Sequence, residues 1–234
     1  MLEALRRHPA NTHLALMLAL TFTTGIVDAV GYLGLDRVFT GNMTGNVVIL
    51  GMALAGDTGL PVTGPLIALA AFMAGAAAGG RALRGAIPGW TRRHTALFAS
   101  VGLAVLAAAI PTVFYDEPGR PLRFAVTALL GLAMGCQAAT ARHFAVKDVT
   151  TVVVTSTITG LASDSVLGKG GGQPWQRRAG AVALIGLGAV AGALMLKLDL
   201  GLALGVAAAI ILAVAWLGHA ARPRPVAVDA YDEE

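Results

Sequence analysis

A run of polar residues interrupts an otherwise apolar sequence between Arg37 and Asp57. Its first half alternates amide and hydroxyl side chains with glycines, namely Thr40, Gly41, Asn42, Thr44, Gly45 and Asn46. Lipid solvates none of these groups, so they are tolerated at membrane depth only where they face protein or a watery cavity. Amides and hydroxyls both donate and accept hydrogen bonds, which suits a small polar or ionic solute. The run therefore predicts half of a binding site.

An acidic residue lies upstream of this run. Asp28 falls within the apolar stretch TFTTGIVDAVGYLGL, with no Lys or Arg among its near neighbours. A carboxylate at membrane depth is costly unless it is paired, protonated or hydrated, so it indicates a functional role by default. Two interpretations stay open. Either Asp28 faces a cavity and exchanges a proton or binds a cation, or it is a structural acid hydrogen-bonded to nearby polar side chains.

A second, Thr-rich segment over 148–166 aligns with the first. Matching VFTGNMTGNV with VTTVVVTSTI pairs Thr40 with Thr151, Thr44 with Thr155 and Asn46 with Thr157. Gln137 precedes the second segment much as Asp28 precedes the first. Interhelical packing is the alternative role for such side chains, and a Thr can also bond to its own helix. The predicted substrate-binding residues are Asp28, Thr40, Asn42, Thr44, Asn46, Gln137, Thr151, Thr155 and Thr157.

The composition indicates that these segments lie in a membrane. Hydrophobic residues make up 56% and charged residues 13% of the 234 residues, too little polar surface for a soluble globule of this size. About 20 apolar residues in a helix cross the roughly 30 Å of bilayer hydrocarbon. We predict an all-α, polytopic helical membrane protein from apolar segments at about 14–35, 38–56, 62–80, 95–115, 122–143, 148–166, 179–197 and 199–218.

Basic residues between these segments predict how many of them cross. Lys and Arg in short loops stay on the cytoplasmic side. If all eight segments crossed, the four-arginine loop 81–94 and the basic pair within 142–147 would lie outside. If 38–56 and 148–166 enter and return, every basic cluster considered falls inside. We predict six full crossings plus two short re-entrant or broken segments, with both termini cytoplasmic. Seven or eight plain transmembrane helices are the alternative.

The two halves of the chain, about 13–115 and 122–218, share a pattern of small residues. Gly25 and Gly135 precede the two short segments, and the spacing of Gly75 and Gly79 recurs at Gly188 and Gly192. Three crossings in each half would invert the second half relative to the first, as in many secondary transporters. We predict a single integral membrane domain over 1–234 with an inverted internal repeat. The last residues of the chain, 219–234, are predicted to form a disordered cytoplasmic tail.

Motif content argues against an enzyme. The sequence contains no HExxH, no GxSxG and no Cys with a suitable His partner, and its His residues lie near segment ends or termini. We therefore predict no catalytic residues, no cofactor and no metal. Basic residues occur in short clusters beside apolar segments, so no nucleic acid partner is predicted. The predicted partners are the lipid bilayer and a small-molecule or ion substrate, and the glycine faces leave a homo-oligomer open.

Two motifs carry a family resemblance. TTGIVDAVGYLGLDRVFTGNMTGNVVILG resembles the signature of the YoaK-like family of uncharacterised bacterial multi-pass membrane proteins. MGCQAATARHF followed by TTVVVTSTITGLASD resembles the second signature of that family. This second motif departs from the family pattern, with Thr155–Ser156 in place of the usual Thr-Gly pair and Ala138 where Asn is frequent. The resemblance implies a small multi-pass protein of the bacterial inner (plasma) membrane, sometimes labelled a transporter, without an established substrate.

These observations together predict a secondary transporter for an unidentified small solute. Its site would lie between segments 38–56 and 148–166, and proton-coupled efflux is one form that it could take. An ion or solute channel is the first alternative, because short segments lined by Thr and Asn could form a filter. A membrane scaffold without transport is the second, and for it a buried Asp28 would be a cost without a purpose.

Overall fold

Eight helices form the described part of the chain. The computed structural model describes residues 9–56, 58–87, 89–114, 119–144, 154–165, 168, 170 and 175–222. In chain order the helices are α1 (Pro9–Gly34), α2 (Met43–Leu54), α3 (Thr63–Ala82), α4 (Arg92–Phe114), α5 (Arg120–His143), α6 (Val154–Ser163), α7 (Trp175–Leu196) and α8 (Leu200–Ala220). The predicted tail over 219–234 begins inside α8, and its residues 223–234 lie outside the described part.

Length separates six helices from the other two. Six are long and apolar enough to cross a membrane, whereas α2 has 12 residues and α6 has 10. At 1.5 Å per residue the short helices extend about 18 and 15 Å, well below the roughly 30 Å of hydrocarbon. The prediction of a polytopic helical membrane protein with six long segments is confirmed. Within the predicted short segment 38–56, the helix covers Met43–Leu54 and residues 38–42 are not helical.

Two pairs of long helices pack in parallel through closely matching contacts. On α7, Gly188 lies against Phe22 of α1, and Gly192 lies against Ile26 one turn further along. In the other pair, Gly75 and Gly79 of α3 lie against Leu132 and Cys136 of α5. Glycine at these positions lets the two backbones approach closely, which is the main source of packing energy between helices in a membrane.

Aromatic and His residues from several helices meet at one end of the bundle, which we call the aromatic end. His13 at the start of α1 packs against Trp90 and Phe144, and Trp90 also packs on Gly218 of α8. Trp90 itself precedes α4, and Phe144 follows α5. The aromatic end therefore holds the starts of α1 and α4 and the ends of α5 and α8.

A chain of hydrogen bonds ties α4 to α5 at the aromatic end. The backbone N–H of Thr91 donates to Nδ1 of His94 at 3.1 Å, so the ring proton of a neutral His94 sits on Nε2. Nε2 of His94 lies 3.0 Å from Nδ1 of His143. The His94 ring is fully buried. This pair fixes the start of α4 against the end of α5.

The directions of the long helices determine where the short ones begin and end. Arg93 at the start of α4 donates to the Ala82 carbonyl, so α3 also ends at the aromatic end. The chain thus leaves this end through α1, α4 and α7 and returns through α3, α5 and α8. Consequently α2 connects two helix termini at the opposite end, and α6 connects two at the aromatic end. Neither short helix adds a crossing of the bundle, in agreement with the arrangement that the basic residues predict.

Candidate functional site

The site starts at a sharp reversal of the chain after α1. Arg37 adopts the left-handed backbone conformation with φ of 47°, which costs a residue with a side chain about 1 kcal/mol. This turn sends residues 38–42 back along the last turns of α1. We call residues 38–42 the returning segment. Its first hydrogen bond to α1 is donated by the Val38 N–H to the Gly31 carbonyl at 3.3 Å.

Asp28 holds the returning segment in place. Its Oδ1 accepts the backbone N–H of Thr40 at 2.9 Å and that of Gly41 at 2.7 Å. Hydrogen bonds to a charged acceptor are about twice as strong as neutral ones. Gly41 also leaves room for the close approach, because a Cβ there would lie 3.0 Å from Thr24 and 3.4 Å from the Asp28 carboxylate oxygens. The buried acid is thus a structural anchor for the polar run.

The two asparagines of the run have different surroundings. Asn42 is the N-cap of α2, and its Oδ1 accepts the Gly45 N–H at 3.2 Å. Asn46 is buried and clamps the backbone of Phe39, accepting its N–H at 2.9 Å and donating to its carbonyl at 2.6 Å. The spacing of four residues therefore does not bring both amides to one ligand. Asn42 remains exposed, while both polar atoms of Asn46 are occupied.

A cavity of about 530 Å³ lies where the two short helices approach each other, and we call it the Asp28 cavity. Its volume is within the range of small-molecule sites. Residues from α1, the returning segment, α2, α6 and α7 line it: Thr24, Asp28, Tyr32, Phe39, Gly41, Asn42, Thr44, Gly45, Val48, Ile49, Val154, Thr155 and Ile185. Side chains from both predicted half-sites thus share one space.

The nine predicted site residues divide into three groups. Asp28, Asn42, Thr44 and Thr155 line the Asp28 cavity. Four more are buried and do not line it, namely Thr40, Asn46, Gln137 and Thr157, and Gln137 donates to the Thr24 hydroxyl at 3.2 Å. Thr151 lies outside the described residues. Gln137 therefore reaches the cavity wall only through Thr24, and Thr157 does not line the cavity.

Several residues of the cavity were not among the predicted site residues. Tyr32 and Phe39 stack with ring centroids 4.9 Å apart, and both line the cavity beside Asp28. Tyr32 could have been found from its position four residues after Asp28, which puts both on one helix face. Phe39 and Ile185 carry no such signal, because only the chain reversal and the packing of α7 bring them to the site.

Comparison with known proteins agrees with this architecture. A family model described as "Protein of unknown function (DUF1275)" matches residues 16–217. The chain belongs to this family. UPF0700 transmembrane protein YoaK of Bacillus subtilis (strain 168) is 32% identical over 158 residues, 66% of this chain and 66% of the relative, just under two thirds of each. No solved structure matches the chain. The resemblance to a YoaK-like family is confirmed, and the chain is a multi-pass membrane protein.

A single acidic residue lines the site in this DUF1275 member. Among the described residues that line the Asp28 cavity, Asp28 is the one charged side chain, and no Lys, Arg or His accompanies it. The wall is otherwise built from hydroxyl, amide, aromatic and aliphatic groups. When ionised, a carboxylate in such a low-dielectric site acts on cations more strongly than it would in water.

The Asn46 clamp leads to a testable prediction for this family member. Asn46→Ala leaves the backbone N–H and carbonyl of Phe39 without their partners, and each unsatisfied buried group costs about 1–3 kcal/mol. We expect a clearly lower melting temperature for the detergent-purified variant. Asn42→Ala is the matched comparison, since it removes one exposed cap bond worth about 1 kcal/mol. Equal losses in the two variants would contradict the clamp.

Proposed function

We propose that the protein is a secondary transporter that binds a small solute in the Asp28 cavity. The observation that carries the proposal is the composition of the cavity wall. A buried carboxylate, the exposed N-cap of α2 and Thr155 of α6 surround one space at the level of the membrane-spanning helices. Both α2 and α6 start at this space, and they belong to connections at opposite ends of the bundle, so the space can be reached from either side by small movements of the two halves.

An inverted internal repeat is part of the proposal. In this repeat, α1, α3 and α4 of the first half correspond to α5, α7 and α8 of the second. The α1–α7 pair then corresponds to the α5–α3 pair, and the helices of each pair pack against each other. Under the same exchange, the packing of α2 on α3 corresponds to that of α6 on α7. Gly25 faces Ile185 and Ala189, while its counterpart Gly135 faces Phe72 and Ala76. These correspondences support two related halves of opposite orientation.

The aromatic end favours alternating access over an open pore. A channel needs a polar path through both ends of the bundle. At the aromatic end, Trp90 is buried against Phe98 and Phe144, and Gly218 of α8 leaves room for its ring. We infer that these apolar contacts form a closed gate, which must separate before solute can leave at this end. A channel therefore stays the second candidate, and a scaffold the third.

Asp28 is proposed to couple solute movement to protons. A carboxylate of this kind is neutral when protonated and otherwise binds a positively charged or hydrogen-bonding solute, so one site can exchange the two. The backbone hydrogen bonds from Thr40 and Gly41 keep the group in position in both states. The proposal includes no catalytic step and requires no cofactor, metal or nucleic acid. A homo-oligomer is compatible with it.

The orientation follows from the basic residues. In the described part of the chain, Arg37, Arg120, Arg123 and Lys197 lie toward the end opposite the aromatic end. At or near the aromatic end lie Arg81, Arg84, Arg92, Arg93, Arg142, Arg177, Arg178 and Arg222. Since basic residues favour the cytoplasmic side, we assign that side of the plasma membrane to the aromatic end. Labelling of an introduced Arg222→Cys from the outside of intact cells would contradict the assignment.

A ligand screen followed by flux measurements tests the function. Detergent-purified protein, Asp28→Asn and Asn42→Ala are melted with a panel of ions, metabolites and amphiphiles, because a ligand of the folded state raises the melting temperature. Compounds that stabilise the parent but not Asp28→Asn are then tested for uptake into proteoliposomes under a pH gradient. Saturable, gradient-driven flux is expected. Unsaturated currents would indicate a channel, and neither stabilisation nor flux would indicate a scaffold.

A further inference from the structure

A second opening reaches Asp28 from the side of the bundle. Between α1 and α7 lies a groove of about 510 Å³, which we call the lateral groove. It shares Asp28, Tyr32, Phe39 and Ile185 with the Asp28 cavity. Its remaining lining is made of small and aliphatic residues: Gly25, Ala29, Leu33, Gly186, Ala189, Val190 and Ala193. The groove and the cavity therefore meet at the carboxylate.

The lateral groove lies at the depth of the hydrocarbon. Asp28 is inside the membrane-spanning window of α1, roughly 9 Å before the end of the helix at Gly34. The rim residues Leu33 and Val190 are 60% and 56% exposed, as expected of side chains that face lipid. Aliphatic side chains at this depth give a solute that is dissolved in the bilayer a direct path to the site. A water-soluble solute gains nothing from such a path.

The groups around Asp28 match a positive charge carried on an apolar body. Tyr32 and Phe39 present stacked rings next to the carboxylate, and the faces of aromatic rings attract cations. The backbone N–H groups of Thr40 and Gly41 both donate to Oδ1 of Asp28. An anion would be repelled, since no described lining residue of either space is basic. A sugar-like solute would find few polar partners in the groove.

We propose that the substrate is a lipophilic organic cation, which enters through the lateral groove and pairs with Asp28. This assignment rests on the proposed transport function and names its substrate class. In the resulting exchange, the cation binds the carboxylate as a proton leaves, and reprotonation releases the cation. The apolar body occupies the space beside Tyr32, Phe39 and Ile185, while the charge lies at the edge of the polar cavity.

Two probes of matched shape and opposite charge test this assignment. Binding of radiolabelled tetraphenylphosphonium to protein in lipid nanodiscs is compared with that of tetraphenylborate. The Asp28→Asn variant keeps a carbonyl oxygen for the Thr40 and Gly41 N–H groups but loses the charge. Gly186→Phe fills the lateral groove, because a Cβ there has no neighbour within 4 Å. Gly180→Phe, also without a neighbour within 4 Å on the same helix, is the control outside the groove.

The expected result is saturable binding of the phosphonium and none of the borate. Affinity should fall at least about tenfold in Asp28→Asn and in Gly186→Phe and stay unchanged in Gly180→Phe, with all three variants folded by size-exclusion chromatography. Phosphonium binding that is equal in Asp28→Asn, or absent in the parent, overturns the cation assignment. If the parent instead shows Asp28-dependent, gradient-driven flux of another solute from the panel, transport stands while the substrate class is wrong. If no solute gives such flux, the transport proposal falls as well.

Discussion

Gly75→Ala and Gly188→Ala are each expected to destabilise the protein severely. A Cβ at Gly75 would overlap the Leu132 carbonyl oxygen, and one at Gly188 would overlap that of Phe22. Backbone atoms of a packed helix cannot rotate away as a side chain can, so the parallel helix pairs must separate. Overpacking of this kind costs about 1–3 kcal/mol or more. The measurement is the melting temperature, together with the monodisperse fraction, of the detergent-purified variants.

Matched controls lie on the same two helices. Gly80 of α3 and Gly186 of α7 have no neighbour within 4 Å of a built Cβ. Alanine favours a helix by about 1 kcal/mol over glycine, so Gly80→Ala and Gly186→Ala should be neutral or slightly stabilising. The two damaging changes should also resemble each other in size, because Gly75 and Gly188 are counterparts in the proposed repeat. If all four variants melt alike, the close approach of the helices is wrong.

Asp28→Ala is expected to cause the second large loss of stability. It leaves the backbone N–H groups of Thr40 and Gly41 without an acceptor, at roughly 1–3 kcal/mol for each buried donor. Removing a buried carboxylate relieves part of its desolvation cost, which places the net loss at the lower end of that sum. With the returning segment released, the wall of the Asp28 cavity should loosen. Melting in detergent gives the stability, and proteolysis near residues 38–42 gives the local opening.

Asp28→Asn separates the structural role of Asp28 from its charge. The amide oxygen can still accept from Thr40 and Gly41, so the melting temperature should stay near that of the parent while proton coupling is lost. Ala and Asn variants that are equally stable would mean that the two hydrogen bonds contribute little. An Asn variant that retains gradient-driven flux would mean that another group carries the proton.

The structural and functional interpretations of Asp28, which the sequence left open, are compatible in the folded protein. Its Oδ1 anchors the returning segment, and the same side chain lines both the Asp28 cavity and the lateral groove. A change in the charge of this group would therefore act on the segment that carries Phe39 and the cap of α2. In the proposed transporter, solute binding and the position of α2 are linked through this one side chain.

The number and type of membrane segments could be predicted from the sequence. An apolar run of spanning length is a local property, and so is a cluster of arginines beside it, so six long helices and two short ones follow without knowledge of their packing. The importance of Asp28 could also be inferred locally, because an acid without a neighbouring base is costly in hydrocarbon wherever the helix packs. The glycine spacings at Gly75 and Gly188 likewise indicated close helix contacts before their partners were known.

Only the tertiary structure decided which polar groups line the Asp28 cavity. Asn42 and Asn46 cannot be told apart by residue type or spacing. The chain reversal at Arg37 brings the backbone of Phe39 beside Asn46, where it hydrogen-bonds to the Asn46 amide, while Asn42 stays exposed at the cavity. The lateral groove depends on Ile185 and Gly186 of α7, more than 140 residues after the polar run begins at Arg37. Hydropathy and spacing describe one segment at a time. The site is a property of five segments in contact, so it exists only once the helices have packed.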